Sequence, residues 1–269
     1  MSKHREVPPL PRFQGLFDTH AHPTDNRFDS DREELLASMQ ETGMLCVCVG
    51  ADMESSARSL ELAKRVPNMF ASVGVHPHDA KDFTEADVPV LTKWLTTEEK
   101  VVALGEIGLD YYYDLSPRDV QKDVFARQLD LAYTLDKSVI LHIRDAHGDV
   151  IDILRAHKNR LPKCVVHCCS ASWESAKVYM GLDCMISFAG PVTLTRSVNL
   201  HEIVRNMPID RLMIETDSPY LAPEPVRGRR NDPRNVAYIC EFIAGMRGMD
   251  AQELCNVTRE NGKRFYRIV

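Results

Sequence analysis

Short apolar runs, many of them β-branched, alternate along the chain with longer stretches in which apolar positions recur three and four residues apart. The first pattern marks buried strands and the second amphipathic helices. The runs predict strands at residues 16–19, 45–49, 70–75, 101–107, 139–142, 163–167, 183–188 and 211–215. Helices are predicted between them, over 31–42, 54–65, 86–96, 117–135, 146–157, 172–180 and 197–206, and after the last strand over 233–246. Leu35, Leu36 and Met39 form one stripe, and Phe125, Leu129 and Ala132 another. Gly43 stops the first helix, and Pro117 suits the first turn of the fourth. A last helix over 251–265 follows Asp250 as its cap.

Eight strands alternating with helices predict an α/β fold: a single TIM-type (β/α)8 barrel with an extra C-terminal helix. Such a barrel takes about 250 residues, so residues 1–269 read as one domain, with 1–14 as an N-terminal extension. No low-complexity segment or linker divides it. In barrels of this kind the chemistry sits at the C-terminal strand ends.

Those ends carry a set of histidines and carboxylates. The first strand leads into His20-Ala21-His22, the fourth into Glu106, the fifth into His142, the sixth into His167 and the eighth into Asp217. Residues two apart on a strand share a face, so His20 and His22 can reach one ion. Imidazoles and carboxylates together suit zinc, manganese, cobalt or nickel, and also admit magnesium. Six ligands exceed what one tetrahedral ion needs, so two divalent ions are expected. His20, His22 and Asp217 hold the first ion in this reading and His142 and His167 the second, with Glu106 as the bridge. Asp217 is also the candidate base for an attacking water. Glu215, two residues earlier on the same strand face, is expected to orient a histidine.

Composition narrows the class. Hydrophobic residues make up 44% of the chain, enough for a large core, and the net charge of −6 argues against a broad basic face for gripping duplex nucleic acid. The eight cysteines include no Cys-x-x-Cys pair, and Cys46 and Cys48 lie in an apolar run, as in a reduced protein. The N-terminus has no apolar segment of a signal peptide, and no run approaches a membrane span, so the expectation is a cytoplasmic protein without a membrane partner.

Candidate substrate contacts lie beside the ligands. His76 follows the third strand, and Arg144 lies two residues past His142. Arg227, Arg229, Arg230 and Arg234 crowd the segment after Asp217, with Asn231 among them. Guanidinium groups hold phosphates in a bidentate fork, so Arg229, Arg230 and Asn231 are expected to cradle substrate phosphates. The run Tyr111-Tyr112-Tyr113 can stack on a base or pack over the barrel mouth. His78, His147, His157 and His201 read as surface residues.

Five segments resemble the signatures of the TatD-type metal-dependent deoxyribonucleases: His20-Ala21-His22, Gly74-Val75-His76-Pro77-His78, Gly105-Glu106-Ile107-Gly108-Leu109-Asp110, His142-Ile143-Arg144-Asp145-Ala146, and Glu215-Thr216-Asp217-Ser218-Pro219-Tyr220-Leu221-Ala222-Pro223. Arg227-Gly228-Arg229-Arg230-Asn231 is similar to the segment after strand eight in that family. The resemblance spans about residues 16–265 and implies the barrel of the amidohydrolase superfamily. It also implies phosphodiester hydrolysis, often from the 3′ end of single-stranded DNA, with RNA as a further substrate, and the six ligands carry over to the positions given above. Two departures occur. Strand six ends in His167-Cys168-Cys169-Ser170, where the family has His-Cys-Phe-Ser, which makes Cys169 a neighbouring thiol or a thiolate ligand. Ile143 stands where the family often has Ser or Thr. The alternative is a superfamily hydrolase of another bond: a lactone, phosphotriester, amide or D-aminoacyl-tRNA ester. Relatives of those kinds often bridge their metals with a carboxylated lysine on strand four, and no lysine lies between Lys100 and Lys122. A binding protein that merely kept the fold would be expected to have lost a ligand.

Overall fold

The computed structural model describes residues 7–269, so the first six residues of the expected N-terminal extension lie outside it. Eight parallel strands follow one another in space in chain order: β1 (Phe17–Ala21), β2 (Leu45–Val49), β3 (Met69–Val73), β4 (Val101–Asp110), β5 (Ser138–Arg144), β6 (Cys164–Val166), β7 (Met185–Phe188) and β8 (Leu212–Ile214). The helices are α1 (Arg32–Glu41), α2 (Met53–Arg65), α3 (Asp87–Thr97), α4 (Arg118–Thr134), α5 (His147–Ala156), α6 (Trp173–Gly181), α7 (Val198–Asn206), α8 (Val236–Arg247) and the extra C-terminal α9 (Ala251–Tyr266). The structure is the expected TIM barrel.

The seam between β8 and β1 is closed largely by side chains. Thr19 Oγ1 donates to the Ile214 carbonyl (2.9 Å), and the buried Asp18 carboxylate accepts from the Thr216 amide (2.9 Å) and hydroxyl (2.5 Å). Beyond the strand ends, Asp217 N donates to His20 O (2.9 Å) and His22 N to Ser218 O (2.7 Å). The first and last strands are thus tied where both carry candidate ligands.

Two apolar layers follow from the alternation of strand side chains. The outer layer joins strands to helices and includes Cys46, Cys48, Leu104, Leu141 and Ile214. The inner layer includes Val47, Val49, Ile140, Val165 and Met213, and Phe265 and Tyr266 of α9 belong to it. Ser138 Oγ donates to Phe265 O (2.6 Å) and Tyr266 Oη to Thr19 O (3.0 Å). The C-terminal end of α9 therefore seals the N-terminal end of the barrel and leaves the opposite end open for chemistry.

The structure shifts several strand ends. β6 and β8 stop before His167 and Glu215, and β3 stops before Gly74. β4 runs on to Asp110, paired with β5 through Gly108–His142 and Asp110–Arg144. Gly108 permits this approach, because a Cβ there would run into the His142 carbonyl and its φ is 146°. The four histidines expected at the surface are all engaged. His157 is buried, His147 bonds Tyr179 Oη (2.9 Å), His201 bonds Val192 O (2.9 Å) and His78 bonds Asp110 (2.9 Å).

Candidate metal centre

β1 has a register break against β2 between Asp18 and Ala21. Beyond it, His20 and His22 point their Nε2 atoms to within 3.2 Å of each other. Asp217 does not share a strand face with Glu215, as the spacing suggested: the chain has left β8, and Asp217 takes a left-handed conformation with φ of 55°. Its Oδ1 lies 3.6 Å from His20 Nε2 and 3.3 Å from His22 Nε2.

Glu106 stands at a second register break, between Leu104 and Ile107 of β4. Its two oxygens divide. Oε2 faces His20 Nε2 (3.4 Å) and His22 Nε2 (3.9 Å). Oε1 faces His142 Nδ1 (2.7 Å), His167 Nε2 (3.0 Å) and His76 Nε2 (3.5 Å). Burial alone would raise this carboxyl, but the surrounding imidazoles, above all His167 and His76, hold it well below the usual range. Asp217 behaves alike: burial opposes ionisation, and the bond to His22 with the charges of His167 and His20 lowers it.

Three of the imidazoles that face Glu106 are aimed from behind. His22 Nδ1 bonds Val49 O (3.0 Å) and His167 Nδ1 bonds Glu215 Oε1 (3.0 Å), while His142 Nε2 bonds Asp110 Oδ2 (3.0 Å). Glu215 also accepts from Cys168 N (2.6 Å), and Asp110 from Tyr112 N (3.0 Å) and Tyr113 N (2.8 Å). A ring nitrogen that bonds outward to an acceptor carries the proton, which leaves the other nitrogen's lone pair aimed inward. His20 differs: its buried Nδ1 has no partner among the described residues. His76 has the reverse polarity. Its Nδ1 accepts from His78 N (3.1 Å), so Nε2 carries the proton. Burial, with His142 beside it, pushes His76 down to about 4, so it stays neutral. His76 thus offers the centre a donor and no lone pair.

The donor set fits divalent metal. Ligands about 2.0–2.2 Å from a tetrahedral ion stand roughly 3.3–3.6 Å apart, and His20 Nε2 and His22 Nε2 stand 3.2 Å from each other and 3.3–3.9 Å from the nearer oxygens of Glu106 and Asp217. On the other side, Glu106 Oε1 gathers His142 and His167. No cysteine joins the metal-ligating clusters among the described residues. Burial drives the Cys169 thiol up to about 12, against a thiolate ligand; both Cys168 and Cys169 line the cleft, Cys168 the less buried of the two, and its φ of 41° breaks the strand alternation.

The remaining predicted contacts separate. Two clefts, of about 560 and 580 Å3, meet at His142, Arg144, Asp217 and Leu221. Arg144 lines both, its guanidinium 4.2 Å from the Tyr112 ring centre. Arg229 and Arg230 line neither. Arg230 forks onto Asp31 (2.8 and 2.5 Å) and lies over the Phe28 ring, on the outer side of the loop. Asn231 is fully buried: it donates to Thr216 O (3.0 Å) and Tyr220 O (2.7 Å) and accepts from Asn235 (2.8 Å). The expected phosphate cradle is therefore corrected. Arg230 is committed to an ion pair, Asn231 braces the loop that carries Asp217, and Arg229 is exposed away from both clefts. Nearness in sequence to Asp217 does not carry these side chains to the mouth. Glu215 behind His167 is the histidine-orienting carboxylate expected from the sequence, whereas Asp110 behind His142 was missed, its one signal being its place at the end of the run beginning Gly105-Glu106.

A parallel barrel whose open end gathers imidazoles around a shared carboxylate belongs to the metal-dependent hydrolases. The sequence model of the family described as "TatD related DNase" matches residues 17–267, and the chain belongs to that family. It is 42% identical to the uncharacterized metal-dependent hydrolase YabD of Bacillus subtilis, over 94% of this chain and 99% of that protein. It is 34% identical to the 3′-5′ ssDNA/RNA exonuclease TatD of Pectobacterium carotovorum, over 94% of this chain and all of the relative. The crystal structure of the TatD homologue YjjV of Escherichia coli superposes with a TM-score of 0.87 at 28% identity, covering 97% of this chain and 100% of that one. No helix of the described residues is long and apolar enough to cross a membrane.

Proposed function

We propose that this protein is a 3′-5′ exonuclease of single-stranded DNA, with RNA as a further substrate. The observation that carries the reading is the divided carboxylate of Glu106, one oxygen toward His20 and His22 and the other toward His142 and His167. His20, His22 and Asp217 would hold one divalent ion and His142 and His167 the other, with Glu106 shared. Divalent ions at such a site supply Lewis-acid polarisation of a phosphoryl oxygen and a nucleophilic water at neutral pH.

The protein's own groups do the rest. Asp217, ionised and open to both clefts, takes the proton of the attacking water. The water oxygen bonds to phosphorus, the bond from phosphorus to the 3′ oxygen of the penultimate nucleotide breaks, and that oxygen takes a proton from solvent in the open cleft. The terminal nucleotide leaves as a 5′-monophosphate. His76 Nε2–H stands over Glu106 Oε1 and donates to a phosphoryl oxygen. Arg144, at the junction of the clefts, adds a fixed positive charge near the scissile phosphate. The relative named as a 3′-5′ ssDNA/RNA exonuclease supports the substrate class.

The test strips the protein with chelator, reloads it with magnesium, manganese or zinc, and offers 5′-labelled single strands beside a panel of lactones and esters. Stepwise shortening of the labelled strand is expected. Intact strands with turnover of a lactone or ester would overturn the reading in favour of the other superfamily chemistry.

A further inference from the structure

The two clefts that meet at the metal centre have opposite electrostatic character. The one between α2 and the β3 and β4 loops is lined by Asp25, Asp52 and Asp79, and by the rings of Tyr113 and Tyr220. Its arginine other than Arg144, Arg58, is tied to Glu54 (2.6 Å). The cleft over the ends of β5 to β7 shares Arg144 and is lined besides by Arg196, Ser170 and Asn199, with Asp145 its only carboxylate besides Asp217. Arg196 lies just before α7, is exposed, and has no ion pair or side-chain hydrogen bond among the described residues. Both volumes fall within the roughly 300–1,000 Å3 range of small-ligand sites.

A nucleic acid strand crossing the centre must place phosphates on one side only if one end is to be read. An additional phosphate in the first cleft would face the carboxylates of Asp52 and Asp79, with Asp25 held by Arg27, whereas one in the second would face a free guanidinium. We infer, on the exonuclease reading above, that Arg196 grips the phosphate one nucleotide upstream of the scissile one. The body of the strand then lies in the β5–β7 cleft, and the 3′-terminal nucleoside lies between the tyrosines of the other. This gives the phosphate-holding role to Arg196, in place of the arginine loop after β8.

The experiment uses the full chain reloaded with manganese and two deoxythymidine trinucleotides. One has two ordinary phosphodiesters; in the other the upstream linkage is an uncharged methylphosphonate and the 3′-terminal linkage is unchanged. Release of the 3′-terminal nucleotide is followed. A charge-assisted hydrogen bond to the upstream phosphate predicts a KM about tenfold higher for the methylphosphonate substrate with the parent protein. Arg196→Ala should bring the two KM values together, and Arg196→Lys should keep part of the difference. Equal KM values for the two substrates with the parent protein, or an undiminished difference in Arg196→Ala, would overturn the inference while leaving the exonuclease reading standing. Failure of the parent protein to shorten either substrate overturns that reading, and this inference with it.

Discussion

At the scale of single residues, the centre depends on groups that never face it. Asp110 accepts from His142 and His78 and from two backbone amides, and Glu215 fixes His167. Asp110→Asn keeps the size but removes the charge and confuses donor with acceptor behind His142. The expected result is a 10–100-fold loss of metal affinity, read by titration against a coloured chelator, with much of kcat restored at saturating metal. Unchanged affinity would remove Asp110 from this role. His20→Ala or His142→Ala should abolish turnover while circular dichroism still reports a folded barrel, because both side chains stand at the open end of the sheet. Glu106→Gln should be nearly as damaging, since an amide offers only one acceptor oxygen where two clusters need one each. Near-normal activity of metal-loaded His20→Ala would refute the ligand assignment. The types of these residues were legible in the sequence because imidazole and carboxylate are conspicuous at the ends of apolar runs. Asp110, the tautomer of His76 and the engagement of Asn231 were not legible, because each depends on a partner brought close only by folding.

At the scale of elements, the apolar pattern located all eight strands and the helices between them, since burial on both faces leaves near-continuous apolar runs. It failed at strand ends. β4 outruns its apolar core because Gly108 lets it stay against β5, and β8 stops short because Asp18 captures the Thr216 amide and hydroxyl. The loop after β8 shows the consequence: a basic stretch that reads as a phosphate cradle is held outward by Asp31 and inward by a buried amide. Asn231→Ala should cost about 1–3 kcal/mol, the range for leaving buried polar groups unpaired. It should lower kcat as well, since Asp217 rides on that loop. Thermal denaturation and single-turnover rates check the two effects, and a variant as stable and active as the parent would show that the loop holds its shape without the amide.

At the scale of the whole molecule, the candidate ligands at or just beyond the ends of β1, β4, β5, β6 and β8 converge, so an ion bound there would join distant parts of the chain. Metal that binds only the folded state stabilises it by mass action, about 4 kcal/mol at a thousandfold excess over Kd. At roughly 2–4 °C per kcal/mol for a chain near this size, Tm should fall by several degrees on chelation and return in proportion to the logarithm of added metal. A Tm indifferent to metal would mean that the ligands do not bind an ion in the folded protein.

The seam between β8 and β1 also has a meaning in time. Synthesis runs from the N-terminus, and His20 emerges long before Asp217, residue 217 of 269. The bonds that pin the two against each other, Asp217 N to His20 O and Asp18 to Thr216, cannot form until β8 has left the ribosome. Tyr266 of α9 reaches Thr19 later still. A growing chain, lying close to messenger RNA, thus lacks a member of its reactive centre for most of its synthesis. A chain that stalls before β8 cannot bring Asp217 to His20, so on the proposed exonuclease reading the activity would arise only once the barrel closes at its last strand.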